Sequence, residues 1–192
     1  MRVLPYVLIS ICSLSTTNAS AETCDSKLRE RLEREADRMR LWQWSWAAGF
    51  GVAAIGQGVG AFFVVDKQRQ EVFAVSAIKA GAGSFARLVL APRIEITADT
   101  CASIRENGRK ERNAFWLNHV GGFALNAAGA VWLSYRTTLG YGLLSFAIGF
   151  PVGIASTYTM PRWAWRAARD LDAGLVVTPV EGGAVTSIVG RF

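Results

Sequence analysis

The sequence predicts an all-α protein: a four-helix transmembrane bundle of two hairpins, with an N-terminal amphipathic helix and a short β-prone C-terminal tail. Three observations carry this expectation. Charged residues make up 19% of the 192 residues against 51% hydrophobic ones, where soluble domains average about 25% charged. The charges that exist sit at the margins of four long, nearly uncharged runs. The seven tryptophans, Trp42, Trp44, Trp46, Trp116, Trp132, Trp163 and Trp165, lie near the ends of those runs, where an amphipathic indole prefers the headgroup interface.

Residues 1–21 read as a secretory signal peptide. Arg2 supplies a minimal basic start, Val3 to Leu14 an apolar stretch, and Ala19-Ser20-Ala21 a small-residue cleavage site before Glu22. An uncleaved first span is the alternative, because Val3 to Ala21 carries no charge. Residues 22–43 form a charged amphipathic helix whose stripe Leu28, Leu32, Glu35 and Met39 recurs every three or four positions. The membrane domain, 44–161, then holds spans at about 44–65, 72–92, 114–135 and 138–160. Leu41 to Val65 has no charged residue, and Val72 to Pro92 has only Lys79 and Arg87. Asn113 to Tyr135 has only His119 as a titratable group, and Thr137 to Pro161 is uncharged. Each run reaches the ~20 residues a helix needs to cross ~30 Å of hydrocarbon, and a helix satisfies its own backbone groups there.

Short links at 66–71 and 136–138 close two hairpins, and the hydrophilic loop 93–112, helical around 98–112, joins them. The remainder, 162–192, reads as an interfacial helix followed by β-prone runs at Leu175 to Val180 and Ala184 to Val189 around Glu181-Gly182-Gly183.

Orientation signals conflict. Cleavage before Glu22 exports both termini. Lys and Arg number fifteen across segment 22–43, loop 93–112 and the tail, against three on the opposite side. The positive-inside rule would keep those fifteen in the cytoplasm. The signal-peptide topology is preferred. Cys24 and Cys101 fall on one side under either topology, and in an oxidising compartment they form a candidate disulfide.

Within the spans, six polar residues mark a candidate site: Lys79, Arg87, His119, Asn118, Asn126 and Gln57. Ionisable groups in hydrocarbon are costly and usually face a bundle interior or cavity. No Asp or Glu lies in any span, so cations pointing inward suit an anionic solute or lipid headgroup. The plainer alternative is snorkelling, especially of Arg87, together with hydrogen bonding between helices. Glycines at 49, 51, 56, 58, 60, 81, 83, 122, 129, 149 and 153 permit close helix approach, within one bundle or between copies.

No nucleophile elbow, metalloprotease motif, P-loop or dinucleotide fingerprint is present. One His and three Cys are too few for a Cys/His metal centre, so no metal, cofactor or catalytic residue is expected. The net charge of +6 comes without a nucleic-acid-reading module, so no nucleic-acid partner is expected. The expected partners are the lipid bilayer and either a second copy or another membrane protein. The expected function is a non-enzymatic structural or interaction component of a bacterial-type inner membrane. The alternative is a small oligomeric transporter or channel for an anionic solute or lipid headgroup.

Overall fold

A computed structural model describes residues 26–172 and the backbone of 174–180 and 183–189. The signal-peptide reading of 1–21 and the residue Cys24 lie outside the described residues. Five helices follow in order: α1 Ser26–Phe63, α2 Lys67–Leu90, α3 Thr100–Arg136, α4 Leu139–Tyr158 and α5 Trp163–Asp172. Strands β1 Gly174–Val180 and β2 Gly183–Val189 pair antiparallel, with Leu175 opposite Ile188 and Val177 opposite Thr186.

Local chemistry sets the helix starts. Asp66 accepts from the Arg69 amide at 2.8 Å, Asp99 from the Ala102 amide at 2.9 Å, and the Thr138 hydroxyl from the Tyr141 amide at 3.4 Å. Each side chain satisfies an amide that has no partner within its helix, a contribution of about 1 kcal/mol. Pro92 and Pro161 bias the residues before them away from helix, and α2 and α4 end close to them.

At two boundaries a charged segment and an apolar one share a helix. The charged segment could run into the first span or lie along the interface, and its described part, from Ser26, runs into it: α1 is unbroken through 38 residues. Most of the hydrophilic loop 93–112 is likewise the first part of α3, a 37-residue helix, leaving only 91–99 as linker. The physical reason is the same in both places. Polarity changes near Arg40 and Arg112 but no proline intervenes, and a helix crosses a change of solvent without losing backbone bonds.

Helix α1 packs along α2 and α3 along α4, while contacts between α2 and α3 join the two hairpins. A salt bridge of 3.0 Å from Arg136 to Glu71 ties the hairpins at the end where both turn. At the other end the linker is clamped by Asn107, which is 1% exposed. Its Nδ2 donates to the Glu95 carbonyl at 2.7 Å and its Oδ1 accepts from the Glu95 amide at 3.0 Å. Helix α5 folds back onto α3, and Gly108 makes the approach possible: a Cβ there would lie 2.8 Å from the Ala164 carbonyl oxygen. The tail helix therefore does not lie with a free apolar face, as an interfacial helix would. Ala164, Ala167, Ala168 and Leu171 pack against Leu32 and Ile104 of α1 and α3.

The distribution of burial is inverted relative to a protein folded in water. Both buried clusters, one around Met39, Trp42 and Phe115 and one around Leu32, Ile104 and Ala164, lie in the charge-rich end. The apolar helices turn their side chains outward, with Ile55, Phe62, Ile78, Phe85, Val131 and Leu139 all exposed. Among the described residues, three helices are long and apolar enough to cross a membrane: α1, α2 and α4. Asn118, His119 and Asn126 lower the hydropathy of α3. An apolar surface of this extent is compatible with a hydrocarbon surround and costly in water.

Candidate functional site

Between α1, α2, α3 and α4 lies a cavity of about 550 Å³. Gln57, Lys79, Arg87, Asn118 and Asn126 line it together, so five of the six polar residues singled out in the sequence meet in one space. Alanine, leucine, valine and glycine supply most of the remaining wall, and among the described residues no carboxylate lines it.

Lys79 reaches from α2 across to α3 and α4. Its Nζ donates to Ser145 Oγ at 2.7 Å, to the Ser145 carbonyl at 3.3 Å and to Asn126 Oδ1 at 3.3 Å. Asn126 is held in turn by its own helix, its Nδ2 donating to the Gly122 carbonyl at 2.9 Å. Two glycines make room for this group. A Cβ on Gly129 would lie 2.7 Å from Lys79 Cδ, and one on Gly149 would overlap Asn126 Oδ1 and sit 3.2 Å from Lys79 Nζ. Among the described residues the Lys79 amine thus has three neutral oxygen acceptors and no carboxylate partner.

Arg87 hydrogen-bonds between helices, from α2 to α4. It is 7% exposed, and its Nη2 donates to Ser156 Oγ at 2.7 Å while its guanidinium lies 4.9 Å from the Trp42 ring centre. The Nε of Arg87 has no hydrogen-bond partner among the described residues. Trp42 is anchored through its Nε1, which donates to the Ser156 carbonyl at 3.0 Å and Thr159 Oγ1 at 3.3 Å. The Gln57 Oε1 is also buried without a partner, and a buried polar atom left this way costs about 1–3 kcal/mol. The two orphaned atoms, one donor and one acceptor, belong to residues that line this cavity.

Among the described residues, Asn118 makes a 3.9 Å contact to Met160 Sδ. His119 is not brought into the cavity lining. Its ring sits among Phe115, Trp116 and Tyr158 at centre distances of 6.2, 6.1 and 6.2 Å. Cys101, near the start of α3, is disulfide-bonded. The predicted Cys24 partner lies outside the described residues.

Sequence reasoning missed Ser145, Ser156 and Trp42. The signal was weak: hydroxyls in uncharged runs are common, and only the helix pairing shows which of them face the cations. It also missed Glu111, which is fully buried and lies outside the membrane-length apolar stretches. Burial pushes its carboxyl up to about 7, against the pull of the Trp165 and Ala164 amides, and neighbouring Glu35 adds to the rise. Its Oε2 accepts from the Trp165 amide at 2.8 Å.

Fold and cavity together define a helical protein with helices of membrane-crossing length around a space lined by cations. Compared with models of protein families, with curated proteins and with solved structures, the chain matches none.

Proposed function

We propose that the protein is a multi-pass membrane protein that binds an anionic amphiphile, a carboxylate or phosphate head on an apolar body, in the cavity around Lys79 and Arg87. The observation that carries this reading is the pairing of two cations with an apolar wall and, among the described residues, no carboxylate in one space of about 550 Å³. That volume falls within the range of small-molecule sites. An anion there would meet charges already ordered by Ser145, Asn126 and Ser156, so little orientational freedom is lost on binding. Native mass spectrometry of the full chain in detergent with added oleate or phosphatidylglycerol tests it. Lys79→Met and Arg87→Met should each weaken retention about tenfold, the equivalent of about 1.4 kcal/mol. Unchanged retention in both refutes it.

Connectivity supports a fourth crossing by α3. The linker 91–99 and the α4 terminus adjoin the Trp42 end of the molecule, whereas α4 begins at the end where Arg136 meets Glu71. Only α3 connects the two ends between α2 and α4. The disulfide at Cys101 supports an exported location for that linker, since such bonds persist in oxidising compartments, and with it the signal-peptide topology of a bacterial-type inner membrane.

A second reading, self-association as a structural component, is favoured by one feature of α1. Gly49, Gly56 and Gly58 have open space where a Cβ would project, beside exposed Val52 and Ile55. Close approach of a second copy in lipid uses such a face.

A further inference from the structure

A second cavity, of about 800 Å³, lies at the charge-rich end where α4 hands over to α5. No residue lines both cavities. Six charged side chains face this one: Arg31, Glu35 and Arg38 from α1, Arg162 from the α4–α5 link, and Arg166 and Asp170 from α5. Glu35 is taken by Arg38 at 2.9 Å. The other three arginines have no carboxylate within ion-pair distance among the described residues. Among the described residues, Asp170 and the Arg38-paired Glu35 are the acids in the lining.

These guanidinium groups are held by aromatic faces and backbone oxygens. Arg31 lies 5.0 Å from the Trp163 ring centre, and Arg162 lies 4.9 Å from that of Phe115 and 5.5 Å from that of Tyr158. Arg162 Nη2 donates to the Tyr158 carbonyl at 3.5 Å, and Arg166 Nε to the Arg162 carbonyl at 3.3 Å. A ring face beside Arg31 and Arg162 limits their motion without using up the N–H donors that an acceptor would need. The cavity also has a definite depth. Tyr158 is the last residue of α4 and 53% exposed, so the arginines begin where the apolar helix stops.

We propose that this cavity is a binding site for a phosphate group, gripped by Arg31, Arg162 and Arg166 at the membrane margin. Arginine matches a tetrahedral oxyanion through paired N–H donors, and an interfacial phosphate is the anion a polybasic segment meets beside a span. The same chemistry fits a phospholipid headgroup or a free phosphorylated solute. The site is distinct from the Lys79 cavity and stands or falls separately.

The full chain in neutral detergent is titrated with pyrophosphate in one arm. In the other it is titrated with phosphatidylglycerol in mixed micelles, phosphatidylcholine serving as blank. Thermal unfolding midpoint and native mass are read in both. Saturable binding in either arm is expected, the phosphatidylglycerol arm being run on the Lys79→Met background so that the first cavity does not contribute, and it is weakened at least tenfold when the double substitution Arg31→Gln/Arg162→Gln is introduced. Saturation by pyrophosphate identifies a soluble ligand, and saturation by phosphatidylglycerol alone identifies a headgroup. Arg162→Lys, which keeps the charge but loses the fork, should lose affinity while retaining the elution volume and helix content of the original chain. No saturable binding in either arm, or binding that the arginine substitutions leave intact, overturns the assignment.

Discussion

At the scale of single residues, the same amino acid has opposite consequences depending on what faces it. Gly149 stands where a side chain would press into Asn126 and Lys79, whereas Gly56 faces open space. Gly149→Ala should therefore cost about 1–3 kcal/mol through overpacking and disturb the ammonium. Gly56→Ala should leave the monomer within about 0.5 kcal/mol. Thermal unfolding of both variants in detergent checks the contrast, and equal midpoints would refute it. Glycine composition showed that close approaches exist in this chain. Which glycines make them depends on the partner helix, and Gly108 and Gly142, absent from the sequence-level set, are among the tightest. Lys79 and Arg87 were conspicuous as charges in uncharged runs. Their serine acceptors were not, because a serine hydroxyl also satisfies itself on its own helix, as Ser156 does with the Gly153 carbonyl at 2.9 Å.

At the scale of elements, α5 depends on one buried carboxyl. Glu111 receives the Trp165 amide near the α5 N-terminus, where unpaired amides and the helix dipole favour an acceptor. Its other oxygen, Oε1, has no partner among the described residues. Its folded carboxyl titrates at about 7, above the ordinary 4.5, so folding favours the protonated form. The resulting stability is complete below about pH 4.5 and is lost as pH rises through 7, a change on the order of 3 kcal/mol. Glu35 and Arg166 are the other charges acting on the group. In Glu111→Gln the contribution of this group should become flat between pH 5 and 8. Denaturation midpoints across that window measure it, and an unaltered slope would exclude Glu111 as the source. Gly108→Val should displace α5 through the Ala164 backbone, seen as faster proteolysis beyond residue 162. The amphipathic pattern of 162–171 announced the helix. It did not announce the surface, because an apolar stripe suits lipid and protein equally.

At the scale of the whole molecule, the buried core and the membrane-length surface occupy different ends. The Leu32 and Met39 clusters hold α1, α3, α5 and the linker together, while the exposed apolar helices leave their outer faces to the surroundings. The chain should therefore stay with the membrane pellet through an alkaline carbonate wash, and release to the supernatant would contradict a spanning arrangement. Reporters at 68 and 137 should read the same side and one at 95 the other. A split between 68 and 137 would remove the fourth crossing. Alkylation under native conditions followed by reduction should reveal a masked thiol at Cys101, and a free thiol there in native membranes would count against the exported orientation.

The apolar character and rough extent of the uncharged runs follow from sequence alone, because hydropathy and charge spacing are local properties that no packing partner alters. The convergence of Gln57, Lys79, Arg87, Asn118 and Asn126 on one cavity depends on tertiary structure, as do the separation of His119 from it and the docking of α5. Those outcomes depend on the rotation and register of helices about one another. Both are governed by contacts between residues far apart in the chain, such as Lys79 with Ser145 and Gly108 with Ala164.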